Sequence, residues 1–188
     1  MLFNNLRNIK SKMQIIYIYM SKKFFIITGP ESSGSVFIAQ VIAYYVGATN
    51  NINDWSGYGY CKSLKPNIKI LHRSQPWGNA NQYFTLKQFK EEFKEMDLYF
   101  ILTTRYTQFS NLSKIKRFKR TKKDINNNTL QSKLILSEII KSNEKYFIWN
   151  YETMLYLNEV YFDLLYDFIE GINKHYPKLK DGNINYMK

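Results

Sequence analysis

The stretch FFIITGPESSGSVFIAQVIAYYVG, residues Phe24–Gly47, decides the fold that the sequence predicts. It opens with a continuous apolar run, Phe24–Thr28, which is typical of a central parallel strand buried on both faces. The segment Ser35–Val46 is apolar almost all round, so we expect a deeply packed helix. Gly47 then favours the end of that helix. The stretch therefore predicts a strand, a glycine-containing loop and a helix in succession.

The loop between this strand and helix has the glycine spacing of a phosphate-binding loop. Gly29 and Gly34 are spaced as in a Walker A loop, but Ser35 stands where that loop carries its lysine. Without this lysine, and with no predicted strand ending in a Walker B aspartate, ATP hydrolysis is disfavoured. Another phosphate group still fits, because glycines let the backbone approach a ligand and helix-opening amides attract anions. Ser32, Ser33 and Ser35 add hydroxyl donors.

Apolar runs and periodic patterns predict that strands alternate with helices along the rest of the chain. Further strands are predicted over three ranges: Ile68–Leu71, Leu98–Thr104 and Tyr146–Glu152. Helices are predicted over Thr85–Met96 with Thr85 as N-cap, over Leu130–Lys141, and over one long final segment with an apolar stripe of Leu157, Val160, Tyr161, Leu164, Leu165 and Phe168 that ends near Gly171. This alternation indicates an α/β fold with a parallel sheet and helices on both faces.

The composition indicates one folded domain with a preference for anionic partners. The chain has 188 residues, of which 45% are hydrophobic and 17% aromatic, and this excludes disorder throughout. Its formal charge of +12 suits nucleotides, nucleic acid, anionic glycans or acidic lipid surfaces, although solubility alone explains a Lys-rich composition equally well. A single cysteine, Cys61, excludes an intrachain disulfide and a cysteine-based metal cluster, and it fits a reducing compartment.

The N-terminal segment is set apart from the predicted domain. Residues 1–19 are interpreted as an extension of no assigned function, and residues 20–188 as a single domain. The apolar piece Ile15–Met20 is too short to span a bilayer, and Lys22 and Lys23 close it off without a cleavage site of small residues. We therefore expect no membrane span and a cytoplasmic protein.

Polar residues follow each predicted strand, where ligands collect in a parallel α/β sheet. His72, Arg73 and Ser74 follow the second strand, and Arg105 follows the third. The fourth ends in Tyr151-Glu152, which suits either the orientation of site groups or a strand-end cap. We expect these residues to converge with the glycine loop.

The order of three motifs resembles the sulfotransferase family, which uses 3′-phosphoadenosine 5′-phosphosulfate (PAPS). The motifs are GPESSGS, LHRSQP and TTRYTQFSNLSKIKRF, within residues Phe24–Phe118, with weaker echoes at NYE and in the terminal DGNINY. The resemblance implies a three-layer, P-loop-NTPase-like α/β fold with a parallel sheet flanked by helices. It also implies PAPS as co-substrate, a transferase activity that needs no metal, and a small-molecule or glycan acceptor.

The resemblance assigns roles to residues of this chain. The phosphosulfate is expected on the first loop, through Gly29, Ser32, Ser33, Gly34 and Ser35. Arg105 and Ser113, eight residues apart, match the pair that binds the 3′-phosphate, and His72 matches the general base. Glu31 is the alternative base, and Glu31-Ser32 occupies the region where cytosolic members carry a lysine. On chemical grounds, Arg73 is the cation that replaces that lysine.

Two further segments leave several interpretations open. Seven of the ten residues Lys114–Lys123 are Lys or Arg, which suits a solvated face, a contact of Arg117 with the 3′-phosphate, attraction of an anionic acceptor, or nucleic-acid binding. In the polar segment Ala48–Pro66, the piece NDWSGYGY predicts a loop outside the core. Its Trp55, Tyr58 and Tyr60 suit stacking on a sugar or adenine, or packing of the loop itself.

The favoured function is sulfuryl transfer from PAPS to an acceptor hydroxyl, with a carbohydrate as the suggested acceptor. The first alternative is a P-loop kinase with a degenerate Walker A loop, which would prefer ATP with Mg²⁺. The second is a non-catalytic, basic nucleic-acid-binding protein, which would bind oligonucleotides with a steep salt dependence.

Overall fold

The computed structural model describes residues 22–77 and 82–187, which form an α/β fold of five strands and six α-helices. The strands are β1 Lys23–Pro30, β2 Gly59–Tyr60, β3 Ile68–Gln75, β4 Asp97–Thr104 and β5 Lys145–Asn150. The helices are α1 Ser35–Tyr45, α2 Leu86–Glu92, α3 Thr107–Phe118, α4 Lys122–Lys141, α5 Tyr151–Leu157 and α6 Glu159–Ile169, followed by a short 3-10 helix, Gly182–Tyr186. The α/β class and the helix–strand alternation predicted from the sequence are confirmed.

The sheet is mixed but mostly parallel, with the strand order β2-β3-β1-β4-β5. β1 lies at its centre and pairs in parallel with β3 and β4, while β5 extends the parallel part beyond β4. The two-residue β2 is antiparallel to β3, and Gly59 lies opposite His72. β2 falls inside the segment predicted as loop, so that prediction is wrong at these two residues. The central position of β1 places its following loop between the ends of two neighbouring strands.

The core has two parts, one on each face of the sheet. On one face, Phe25 and Ile27 of β1 pack with α1 and α6. On the other face, Phe24 and Ile26 pack with α2 and α4. Since both faces of β1 are covered, all of these side chains are completely buried. Helices cover both faces of the sheet, and this explains why the sequence of β1 is continuously apolar.

Two strand ends differ from the sequence-based prediction. β3 continues past Leu71 to Gln75, so His72 lies inside the strand rather than at its end. β5 stops at Asn150, whose side chain accepts a hydrogen bond from the Thr153 amide at 2.8 Å and caps α5. Tyr151 and Glu152 therefore begin a helix and do not end a strand.

The helices confirm one predicted start and correct two others. Thr85 caps α2 with a capping box, as predicted. α4 begins at Lys122, well before the predicted Leu130, behind a second capping box of Thr121 and Asp124. The predicted long final helix is divided into α5 and α6 at Asn158, which has a φ of 49°.

The predicted apolar stripe of the final helix is only partly buried. Tyr161 and Leu165 lie in the core, but Val160 and Leu164 are 62% and 52% exposed. Their places in the core are taken by other residues of α6: Phe162, Tyr166 and Ile169. Trp55 is also a core residue, so the interpretation of its segment as lying outside the core is wrong for this side chain.

No helix in the described ranges is long and apolar enough to cross a membrane. The predicted N-terminal extension, residues 1–19, and its short apolar piece lie outside the described residues.

Candidate functional site

The loop between β1 and α1 opens the helix without a side-chain cap. Gly34 is the N-cap residue with a left-handed φ of 82°, and no side chain accepts the first amides of α1. The first turn contains no acidic residue. Ser32 also has a left-handed backbone, with a φ of 65°, and its buried hydroxyl has no hydrogen-bond partner among the described residues. Free amides, a positive helix end and an unsatisfied hydroxyl together suit an anionic ligand.

The Ser33 hydroxyl connects the same loop to β4 and is not available to a ligand. Its Oγ lies 2.7 Å from Oγ1 of Thr103, which in turn donates to the Thr28 carbonyl at 3.3 Å. Because the Thr103 proton is used on Thr28, Ser33 is the donor to Thr103. Ser33 is completely buried, so the structure holds this hydroxyl inside the protein.

A cavity of about 730 Å³ lies in front of the loop. Of the ten residues assigned to the catalytic or cofactor site, six line it: Ser32, Gly34, Ser35, His72, Arg73 and Arg117. Gly29, Ser33, Arg105 and Ser113 do not line it. The structure therefore brings the loop, the strand β3 and the basic end of α3 to one cavity, while four of the predicted site residues lie behind it or beside it.

His72 enters this cavity as a buried, neutral imidazole. Its Nδ1 lies against the Gly57 carbonyl, which can only accept, so Nδ1 carries the proton. Nε2 is then free to accept a hydrogen bond, and the Ser35 hydroxyl lies 2.8 Å from it. Burial lowers the pKa of His72 to about 4, although the bond to Gly57 acts in the opposite direction. At neutral pH the imidazole thus presents a basic nitrogen to the loop.

The Arg73 guanidinium lies among aromatic rings beside His72. It stacks at 4.1 Å from the centre of the Trp77 ring and at 4.3 Å from that of Phe84. Its Nη1 is buried and has no hydrogen-bond partner in the described part of the chain. The rings fix the cation in place, and an unsatisfied charged donor remains available at the cavity.

Arg105 contacts the loop from behind and connects it with the C-terminal segment. Its Nη1 donates to the Ser32 carbonyl at 3.1 Å, and its Nε donates to Oδ1 of Asn183 at 2.9 Å. The Tyr151 ring centre lies 4.6 Å from the guanidinium. Arg105 is therefore on the same side of the sheet as the loop, and the described residues place no carboxylate in an ion pair with it.

Tyr151 and Glu152 form hydrogen bonds with the residues around Arg105. The Glu152 carboxylate accepts from the Tyr106 amide at 3.0 Å and from Asn183 Nδ2 at 3.4 Å. The Tyr151 hydroxyl accepts from the Gly182 amide at 2.8 Å. Asn183 is 3% exposed. It is not among the site residues predicted from the sequence, although it lies within the terminal motif DGNINY.

Glu31 is engaged in an ion pair and is a poor candidate for a free base. Its carboxylate lies 2.8 Å from Arg120 Nη2, and both side chains are largely shielded from solvent. The hydrogen bond to Glu31 raises the pKa of Arg120. His72 is therefore the better of the two candidate bases. Its Nε2 is unprotonated, whereas the Glu31 carboxylate is already paired with Arg120.

The basic run divides into separate environments. Lys114 is 2% exposed, Arg120 is paired with Glu31, and Arg117 lines the cavity. The remaining four are exposed: Lys116, Lys119, Lys122 and Lys123. Ser113 of the same helix is 1% exposed. The run is therefore only in part a solvated face.

The aromatic residues of the segment Ala48–Pro66 also lie in different environments. Tyr58 is 59% exposed and lines the cavity. Tyr60 donates to Glu92 at 2.9 Å, and Trp55 is buried. Cys61 is buried too, and burial raises its pKa to about 11, which disfavours a thiolate nucleophile. Of these side chains, Tyr58 is the one placed to contact a ligand.

A metal centre is not evident in the described ranges, where no group of three or more His, Cys, Asp or Glu is arranged to hold an ion. In comparisons with known proteins, no family model matches the chain. A search of curated proteins likewise gives no match. The function is therefore inferred from the geometry of the loop and its cavity.

Proposed function

We propose that this protein transfers a sulfuryl group from PAPS to an acceptor hydroxyl. The observation that carries the proposal is the joint position of the lysine-free phosphate loop, the His72 imidazole and the Arg73 guanidinium at one cavity. The resemblance of three ordered sequence motifs to sulfotransferases supports the same assignment. A carbohydrate is the acceptor class we favour, because Tyr58 and Trp77 give the cavity aromatic walls on which a sugar ring can pack.

The 5′-phosphosulfate is assigned to the loop. The uncapped amides at the start of α1 and the unsatisfied Ser32 hydroxyl are donors for its oxygens. The unpartnered Nη1 of Arg73 supplies the positive charge that a Walker lysine supplies elsewhere. Gly29 and Ser33 position the loop against β4. Gly29 allows the close approach to Thr103, and Ser33 forms a hydrogen bond with the Thr103 hydroxyl.

The 3′-phosphate is assigned to the side of the loop where Arg105 lies, with Arg117 as a second cation. Arg105 already donates to Ser32, so the same guanidinium contacts the loop that holds the phosphosulfate. Ser113 is assigned to this phosphate by its spacing from Arg105 alone, since its side chain is almost completely buried.

The proposed reaction is a direct displacement at sulfur. The acceptor oxygen forms a bond to sulfur, and the bond between sulfur and the bridging oxygen of the phosphosulfate breaks. The electron pair stays on that oxygen, which becomes part of adenosine 3′,5′-bisphosphate and is stabilised by Arg73. The acceptor proton passes to the Ser35 hydroxyl, which gives its own proton to Nε2 of His72 at 2.8 Å.

Isothermal titration calorimetry with two nucleotides tests the proposal. We expect adenosine 3′,5′-bisphosphate to bind at least about tenfold more tightly than ATP with Mg²⁺, because the loop lacks the lysine for a triphosphate. Tighter binding of ATP with Mg²⁺ would overturn the proposal in favour of a kinase. Tight, steeply salt-dependent binding of oligonucleotides that persists in Arg105→Gln and His72→Gln would instead favour a nucleic-acid-binding protein.

Replacing Arg73 with methionine should lower turnover by about 100-fold, because one preorganised donor to the leaving oxygen is lost. Methionine retains apolar contact with Trp77, and Lys69→Met on the same strand is the matched control, since Lys69 is exposed. Turnover is measured as release of adenosine 3′,5′-bisphosphate from PAPS in the presence of a panel of carbohydrates. An Arg73→Met variant with the same turnover as Lys69→Met would exclude this role.

A further inference from the structure

A second cavity of about 360 Å³ lies between α3, α4 and the C-terminal ends of β4 and β5. It shares no lining residue with the cavity in front of the phosphate loop. The two cavities meet the chain at neighbouring residues, since Pro30 lines one and Glu31 lines the other. The volume falls within the range of small-molecule sites in proteins.

One part of this second cavity is apolar. Four aliphatic side chains contribute to its lining: Leu102 from β4, Ile148 from β5, and Leu136 and Ile140 from α4. Ile148 and Ile140 are 44% and 40% exposed, although both are large aliphatic side chains. This wall suits a hydrocarbon chain or ring.

The charged residues of the second cavity all have the same sign. Arg105, Lys114, Lys133 and Lys141 line it, and its lining contains no Asp or Glu. Arg105 is already bonded to Ser32 and Asn183, and Lys133 lies on the exposed side of α4. Lys114 differs from them because it is 2% exposed.

Lys114 is an almost completely buried cation whose nearby carboxylate, Glu31, is shared with Arg120. Among the described residues no side chain or carbonyl forms a hydrogen bond or ion pair with its ammonium group, and the nearby Glu31 is paired with Arg120. Burial accordingly lowers the pKa of Lys114. A desolvated ammonium group that shares its counter-charge with another cation is costly, and an anion in the adjoining cavity would relieve that cost.

Two further polar atoms at the second cavity are unsatisfied. Oδ1 of Asn111 and Oγ1 of Thr129 are both buried without a hydrogen-bond partner in the part of the chain that the structure describes, and both residues line the cavity. They lie on α3 and α4, the two helices that enclose it. Unsatisfied buried groups are uncommon in folded proteins, and the Thr129 hydroxyl can donate to an anion beside Lys114, whereas Oδ1 of Asn111 can only accept a hydrogen bond.

We propose that the second cavity binds a small amphipathic anion, with its carboxylate or sulfonate on Lys114 and its apolar body against Leu102, Leu136 and Ile140. The Thr129 hydroxyl completes the polar end of the site as a donor to the anion. The proposal does not depend on sulfuryl transfer, because Lys114 has no role in the reaction proposed for the first cavity.

Isothermal titration calorimetry with octanoate as the probe tests this site in the full-length protein. We expect one octanoate to bind the wild-type protein, and Lys114→Met to weaken binding by at least about tenfold. The matched control is Lys116→Met, because Lys116 lies on the same helix and is exposed. Octan-1-ol, which has the same chain without the charge, should bind at least about tenfold more weakly than octanoate.

A second variant separates loss of the site from loss of the fold. Ser137→Phe adds a ring inside the cavity while retaining the Lys114 ammonium group, and it should abolish octanoate binding. Thermal melting curves establish that each variant is folded. Failure of octanoate to saturate the wild-type protein, or equal binding by Lys114→Met and Lys116→Met, would overturn the proposal whether or not the nucleotide binds.

Discussion

Replacing His72 with glutamine should lower turnover of sulfuryl transfer by about 10²–10⁴-fold, the usual contribution of a general base. Glutamine retains a polar group near Ser35 and Gly57, but its amide cannot take up a proton at neutral pH. Nε2 of His72 is the acceptor for the Ser35 hydroxyl at 2.8 Å, so the substitution removes the end point of the proposed proton path. Turnover is followed by release of adenosine 3′,5′-bisphosphate.

The second histidine of the chain supplies the control for this substitution. His175 lies in the C-terminal tail, where its ring packs against Tyr44, outside the cavity. His175→Gln should therefore leave turnover within about twofold of wild type. Similar turnover in both variants would show that His72 is not the base.

The same histidine predicts how activity and stability depend on pH. Burial lowers the pKa of His72 to about 4, so the imidazole is neutral at all higher pH values and turnover should not fall until the pH approaches 4. In the unfolded chain the group titrates at its ordinary value of 6.5. Between these two values the unfolded state binds the extra proton, so stability is lost as the pH falls from 6.5 towards 4, by about 3 kcal/mol. A turnover profile with its acid limb at pH 6.5 would contradict the buried, neutral imidazole.

The first strand, its loop and the first helix could be predicted because their signals are local. An apolar run, a pair of glycines and an apolar helix follow one another within Phe24–Gly47, and β1 and α1 appear where the pattern places them. β3 was predicted too short because its second half, His72–Gln75, is polar. Its pairing with Ile27–Pro30 of the central strand supplies the backbone hydrogen bonds that an apolar pattern does not reveal.

The helix boundaries were missed for reasons that can be named. Thr121 and Asp124 have the spacing of a capping box, and this signal was present in the sequence but was outweighed by the Asn-rich stretch that follows it. Asn158 interrupts the final helical pattern with a positive φ, which asparagine tolerates better than most residues. Nothing in the apolar periodicity around it marks that break.

The convergence of the loop with His72 and Arg73 follows from assigning them to the carboxyl ends of parallel strands, whereas the partners of the other site residues do not. Arg105 and Asn183 are 78 residues apart, and Glu31 and Arg120 are 89 apart. Such contacts depend on the packing of α3 and the C-terminal segment against the loop. Single-sequence patterns carry no information on these long-range pairs.

Replacing Gly29 with alanine should destabilise the protein by about 3 kcal/mol or more, as a change in the denaturation midpoint in urea would show. A Cβ atom at this position would lie 2.2 Å from the Thr103 carbonyl oxygen and 2.3 Å from its Oγ1. The carbonyl belongs to the central part of a sheet in which β1 pairs with both β3 and β4, so neither strand can withdraw without losing its hydrogen bonds. Since Thr103 also holds the Ser33 hydroxyl, the clash should displace the loop and weaken nucleotide binding as well.

Gly59→Ala is the control for this substitution because it separates steric clash from backbone strain. Gly59 has a φ of 63°, but a Cβ atom there would meet nothing within 4 Å. Its cost should be that of a left-handed residue alone, about 1 kcal/mol. Shortening Thr103 to alanine should not rescue Gly29→Ala, because the backbone carbonyl that causes the clash is still there. If Gly29→Ala costs no more than Gly59→Ala, β1 and β4 lie further apart than the structure places them, and the loop is not held against β4 by this contact.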